Sequence, residues 1–140
     1  MTPAQRHYSQ GVSLFDSGEY QKALEEFSQT IELDPQLDFA YSNRGVSYDQ
    51  LGQYERAIED YDKAIELEPR FAQAYASRAS SYFLLKQDER AIQDYNQAIK
   101  IDPNDGYAHY WRGQAHSQLG NSAQSAKDLA KAVELGYEPD

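Results

Sequence analysis

The sequence predicts an all-α fold, an α-solenoid of antiparallel helical hairpins. Three observations carry this reading: an even internal period, two amphipathic segments in each period, and Gly and Pro at fixed places between them. Pro35, Pro69 and Pro103, evenly spaced and each preceded by an acidic residue, set the period. In step with them run Gly11, Gly45, Ala79 and Gly113, then Ala23, Ala57, Ala91 and Ser125, then Phe27, Tyr61, Tyr95 and Leu129.

At the front of the chain, Thr2 and Pro3 form an N-cap and first helical position, because Pro lacks the amide that a first turn leaves unpaired. Each repeat then shows apolar residues at three-and-four spacing, as in Tyr41, Gly45, Tyr48 and again in Ala57, Tyr61, Ala64, Ile65. Gly18, Gly52 and Gly120 mark the turn inside the hairpin, where a left-handed residue ends the first helix. The third repeat has Lys86 there, so its turn must carry a local penalty or take another shape. The prolines stop the second helix and force the preceding residue toward extended geometry. The repeats span residues 4–37, 38–71, 72–105 and 106–137 of a single domain covering 1–140.

The fourth repeat departs from the others. His109 and His116 stand in aromatic slots, Ser125 replaces Ala, and Tyr137 falls where Pro is due. Only Gly136 to Asp140 follow its last helix, so the outer face near Ala126, Leu129 and Val133 is expected to be partly bare.

A net charge of −10 offers no footprint for a phosphate backbone or an anionic membrane, which argues against nucleic acid. No stretch reaches the roughly 20 apolar residues that would cross a bilayer, so no direct membrane insertion is expected. The absence of Cys and of a leader-like start points to a cytoplasmic protein. Three His residues with no metal-ligand spacing predict no metal, and no phosphate-cradling or nucleophile motif is present. The expectation is a non-enzymatic chain without cofactors.

Arg44, Arg78 and Arg112 are each followed, at one constant offset, by an acid: Asp60, Asp94 and Asp128. That offset bridges the two helices of one hairpin and predicts a ladder of structural ion pairs that fixes register. The first repeat carries Gln10 and Glu26 instead.

The pattern of small residue, aromatic, Ala, aromatic, Ala and closing Pro, carried by Gly45, Tyr48, Ala57, Tyr61, Ala64 and Pro69, resembles the tetratricopeptide repeat family over residues 4 to about 137. The resemblance implies a right-handed superhelix whose first helices line a concave groove that holds a peptide of a partner protein. On that basis the candidate peptide-binding residues are Tyr8, Phe39, Asn43, Val46, Gln73, Ser77, Phe83, Tyr107, Tyr110 and Trp111, with amide hydrogen bonds from Asn43 and Gln73. Tyr107, Tyr110 and Trp111 form an aromatic cluster beyond what the packing columns require. One subclass of the family clamps acidic chaperone tails with cationic side chains. The matching positions here are Tyr8, Val12, Asn43, Gln73 and Ser77, so the cations are missing and a neutral or basic peptide is expected. The rival expectation is self-association through the uncapped C-terminal repeat, giving a homo-oligomer.

Overall fold

The structure, a computed structural model, describes residues 1–140. Eight helices and no strands are present: α1 (Pro3–Asp16), α2 (Tyr20–Leu33), α3 (Asp38–Gln50), α4 (Tyr54–Leu67), α5 (Ala72–Leu84), α6 (Asp88–Ile101), α7 (Gly106–Gln118) and α8 (Ser122–Glu134). Each is only 13 or 14 residues long, too short to be stable alone, so tertiary packing holds it. Consecutive helices pair as hairpins, and the chain divides into two compact units, Met1–Pro69 with α1 to α4 and Arg70–Asp140 with α5 to α8. Within the first unit α2 packs on α3, and within the second α6 packs on α7. This is the all-α solenoid class that the periodicity predicts.

The boundaries follow from local chemistry. Thr2 caps α1 through a reciprocal pair: its hydroxyl accepts from the Gln5 amide at 3.1 Å while Gln5 Oε1 accepts from the Thr2 amide at 2.8 Å. The second helices of the first three repeats end on Asp34, Glu68 and Asp102, all in extended geometry just before Pro. Inside the hairpins the turn residue takes positive φ, 74° at Gly52 and 63° at Lys86. Lys86 therefore keeps the glycine-type turn: its amide bonds Phe83 O at 3.0 Å and the next amide bonds Tyr82 O at 2.9 Å, matching Gly52 and Gln53. Of the two outcomes open at this position, the protein accepts the strain.

The small-residue column works by close approach. A Cβ added to Gly11 would stand 2.6 Å from the Phe27 ring, and one on Gly45 would stand 2.7 Å from the Tyr61 ring. The neighbour that Gly45 admits is thus the aromatic on the second helix of its own hairpin, which lies fully buried. In the third repeat the same slot holds Ala79, and Tyr95 is directed differently: Tyr61 bonds Asp49 Oδ2 at 2.6 Å, whereas Tyr95 pairs with Ser80 Oγ at 2.8 Å. Phe83 stands where Asp49 stands one period earlier, so the acidic partner is gone and the ring turns to Ser80. Tyr95 joins Ala76, Ala79, Ala91, Ala98 and Ala108 in the core of the second unit.

Each Arg and its acid sit at the same sequence separation inside one hairpin, and all three pairs close with two bonds. Arg44 reaches Asp60 at 2.9 and 2.8 Å, Arg78 reaches Asp94 at 2.7 and 2.8 Å, and Arg112 reaches Asp128 at 2.8 and 2.7 Å. The planar guanidinium matches both carboxylate oxygens at once. The hydrogen bonds that the Arg44 guanidinium donates to Asp60 hold it above its ordinary pKa, while burial pushes the Asp60 carboxyl up in spite of those bonds. In the first hairpin the retained Glu26 accepts from His7 Nδ1 at 2.6 Å instead, a partner that the column of Arg residues did not indicate.

Candidate functional site

In the first unit the candidate residues come from α1 and α3. Tyr8 packs edge-on against Phe39 with ring centroids 4.8 Å apart, and its hydroxyl accepts from Asn43 Nδ2 at 2.7 Å. Burial raises the Tyr8 pKa, partly offset by the Asn43 bond. Asn43 is therefore engaged within the chain, and the side-chain atoms it has left for a ligand are its carbonyl oxygen and one amide hydrogen. Phe39 remains 38% exposed and supplies an apolar surface beside them. Val46 is half-buried one turn further along α3.

The second unit holds the remaining residues on α5 and α7. Trp111 lies 5.7 Å from Phe83, 5.1 Å from Tyr110 and 6.2 Å from Tyr107, centroid to centroid. Phe83 and Trp111 also pack on the buried core. Trp111, expected from the sequence to exceed what the packing columns require, thus packs on the edge of the core as well as facing its aromatic neighbours. Gln73 is exposed and Ser77 half-buried, and both line a cleft of about 520 Å³ with Ala72, Ala76, Asp102, Asp105 and Tyr107. Asn43 and Gln73 thus belong to different units.

Ser80 organises this face. Its hydroxyl donates to Ala76 O at 3.2 Å, which leaves two lone pairs for the hydroxyls of Tyr95 at 2.8 Å and Tyr107 at 2.6 Å. Burial drives the Tyr95 pKa well up, so its proton stays available to donate to Ser80. Around these groups Ser80, Phe83, Leu84, Tyr95, Tyr107 and Trp111 line a second, smaller cavity of about 110 Å³ that opens to the surface.

Sequence reasoning missed Tyr137. Gly136, at φ 79°, closes α8 with the same pair of amide bonds as the hairpin turns and returns the chain toward α7. A Cβ on Gly106 would stand 2.7 Å from Tyr137 Cβ, and the Tyr137 ring lies 6.0 Å from Tyr107 and 5.3 Å from Tyr110. A helix-ending Gly followed by an aromatic was the available signal. The outer face of α8 divides: Leu129 is half-buried, Ala126 is exposed and Val133 is 74% exposed. No group of three or more His, Cys, Asp or Glu is arranged to hold a metal ion, and no helix is long and apolar enough to cross a membrane.

Comparison with known proteins agrees with this geometry. No curated protein matches the chain. A solved structure of MamA superposes with a TM-score of 0.89 at 25% identity, covering 95% of this chain and 78% of that one. The first TPR of Spaghetti (RPAP3), bound to the HSP90 peptide SRMEEVD, superposes with a TM-score of 0.82 at 25% identity, covering 84% of this chain and 93% of that one. MamA 41-end from Desulfovibrio magneticus RS-1 shares the fold, with a TM-score of 0.87 at 24% identity and coverage of 95% and 75%. Residues 39–71 match the tetratricopeptide repeat, residues 11–52 and 79–120 the TPR repeat, and residues 106–135 the tetratricopeptide repeat again. With its repeating register, its hairpin packing and these matches in agreement, the chain belongs to the tetratricopeptide repeat family.

Proposed function

We propose that this protein is a non-enzymatic scaffold that holds a peptide segment of a partner protein, using the face of α1 and α3 in one unit and of α5 and α7 in the other. The observation that carries the reading is the exposed polar and aromatic lining of these helices: Phe39 beside Asn43 in the first unit, and Gln73, Ser77 and Tyr107 around the larger cleft in the second. Aromatic side chains beside amides and hydroxyls suit a peptide, whose backbone needs hydrogen bonds and whose side chains need apolar contact. The solved RPAP3 repeat carries an acidic peptide. Here Tyr8, Gln73 and Ser77 stand where the acidic-tail clamp has its cations, and the chain bears a charge of −10, so a neutral or basic segment fits better. A cytoplasmic setting is part of the same proposal, and fractionation of cells expressing the tagged chain tests it.

The test is binding of a peptide library to the intact chain, with Phe39→Ala and Gln73→Ala variants checked for helicity by circular dichroism. Loss of capture with unchanged helicity supports the reading. Capture that survives in both variants removes these residues from the site.

A second reading rests on Val133. Ile99, one period earlier, packs on the core of the second unit, whereas Val133 is 74% exposed on α8. A second copy meeting this surface would bury it. Head-to-tail addition onto α1 is disfavoured, because α1 carries Arg6 where α3 has Ala40 and α7 has Ala108, both fully buried. The contact would therefore be symmetric, α8 against α8. Sedimentation across a concentration series decides it, since a strict monomer at high concentration excludes the dimer.

A further inference from the structure

We propose, building on the peptide-holding reading, that the second unit selects a segment with Lys or Arg three residues from a Leu- or Ile-sized side chain. The cation would sit in the cleft of Asp102 and Asp105, and the aliphatic group in the cavity beside Trp111.

The two cavities share Tyr107 and differ in chemistry. In the larger, Asp102 Oδ1 accepts from the Asn104 amide at 3.2 Å and Asp105 Oδ1 from the Ala108 amide at 3.3 Å, so each carboxylate retains an oxygen. Neither is paired with a cation of the chain. An incoming ammonium or guanidinium finds two carboxylates and no competing positive charge, in a protein already at −10.

The smaller cavity is mostly apolar: its hydroxyls are bonded to one another through Ser80, and the Trp111 indole N–H beside them is buried without a partner. Its volume of about 110 Å³ equals roughly four waters at about 30 Å³ each. A branched aliphatic side chain of four carbons matches that space. Leu84 is 50% exposed at its mouth, so occupation removes apolar surface from water on both sides. The cavities are offset along α5 by the step from Gln73 to Ser80, about 10 Å at 1.5 Å per residue. An extended peptide covers that distance in about three residues, which fixes the spacing.

The probe is built in, because Trp111 is the only Trp in the chain and lines the smaller cavity. Ten-residue peptides in a Ser-Gly background, carrying Lys-x-x-Leu or Leu-x-x-Lys, are titrated into the intact protein and followed by Trp111 emission and calorimetry. Matched peptides carry Glu for Lys or Ala for Leu, and a panel of acidic and aromatic peptides is run alongside. At least one Lys and Leu order should bind ten-fold or more tighter than its Glu counterpart and shift the Trp111 emission, and its Ala counterpart should lose the shift. Asp102→Asn with Asp105→Asn keeps both amide-accepting oxygens and should erase the preference for Lys over Glu. Equal binding of Lys and Glu peptides, or a double variant that keeps the preference, overturns the inference. Binding by acidic or aromatic peptides alone overturns it while sparing the scaffold reading. Silence from every peptide removes both.

Discussion

Gly45 stands against the Tyr61 ring at a separation that leaves no room for a methyl group, 2.7 Å from a built Cβ to Tyr61 Cε1. Tyr61 cannot easily retreat, because its hydroxyl is held by Asp49 at 2.6 Å. Gly45→Ala should therefore destabilise the protein by about 1–3 kcal/mol through overpacking, even though Ala is the better helix former by about 1 kcal/mol. Urea unfolding followed by circular dichroism measures it. A neutral or stabilising result would show that the ring can move as Tyr95 has.

Lys86 occupies the left-handed turn of the third hairpin at φ 63°. A left-handed L-residue costs roughly 1–2 kcal/mol, and Gly relieves that strain while giving back some chain entropy. Lys86→Gly is expected to raise the unfolding free energy by about 1 kcal/mol, read as a higher urea midpoint at unchanged slope. The reverse change, Gly52→Ala, should lower it by a similar amount.

The Arg44–Asp60 clasp predicts non-additivity. Arg44→Met leaves a buried carboxylate without its cation and should cost about 3 kcal/mol or more. Adding Asp60→Leu should recover most of the loss, because the apolar pair needs no compensation. A double-mutant cycle by urea denaturation tests this, and additive losses would contradict it.

The same pair sets a pH dependence. The folded pKa of Asp60 lies above the ordinary carboxylate value, chiefly because of burial. Between the unfolded value, about 3.9, and the raised folded value, the native state holds more protons than the unfolded one. The Asp60 contribution to stability is therefore fully present below the unfolded pKa and lost as pH rises through the folded one. In Arg44→Met the folded pKa climbs further, so this variant should lose stability with rising pH over a wider window than the parent. Unfolding free energies measured from pH 3 to pH 8 on both proteins decide the matter, and parallel curves would refute it.

Tyr137 fastens the end of the chain. Tyr137→Ala removes the ring from Tyr107 and Tyr110 and opens space over Gly106, at a cost of about 1–3 kcal/mol for a half-buried aromatic. Thermal unfolding should show a Tm several degrees lower, and an unchanged Tm would mean that the C-terminal turn is not docked in solution.

The features that were legible in the sequence recur with the period. The hairpin turns, the Tyr61 and Tyr95 columns and the offset from Arg to Asp are written four or three times over, so noise in one copy is corrected by the others. What could not be read occurs once. Tyr137 has no counterpart in the other repeats, and its docking depends on the single Gly136 turn. Asn43 looked free as a ligand donor because its partner Tyr8 lies one repeat away, where distance is set by packing. The role of Ser80 required knowing that Phe83 displaces the acid that holds the tyrosine of the preceding repeat, which redirects Tyr95. Asp102 reads only as the acid before Pro103 and Asp105 belongs to no repeating column, so the cleft that both line has no signal in the sequence.

The Arg–Asp clasps join residues close in sequence, inside hairpins whose helices are linked by short turns. Contacts this local cost little loop entropy to close, which places the chain among rapid folders. During synthesis each of the three hairpins that carry a clasp can set its own register soon after its second helix clears the ribosome, before the following repeat has been translated. Near-identical segments one period apart would otherwise invite pairing with the wrong neighbour, and early local closure protects the growing chain from that error.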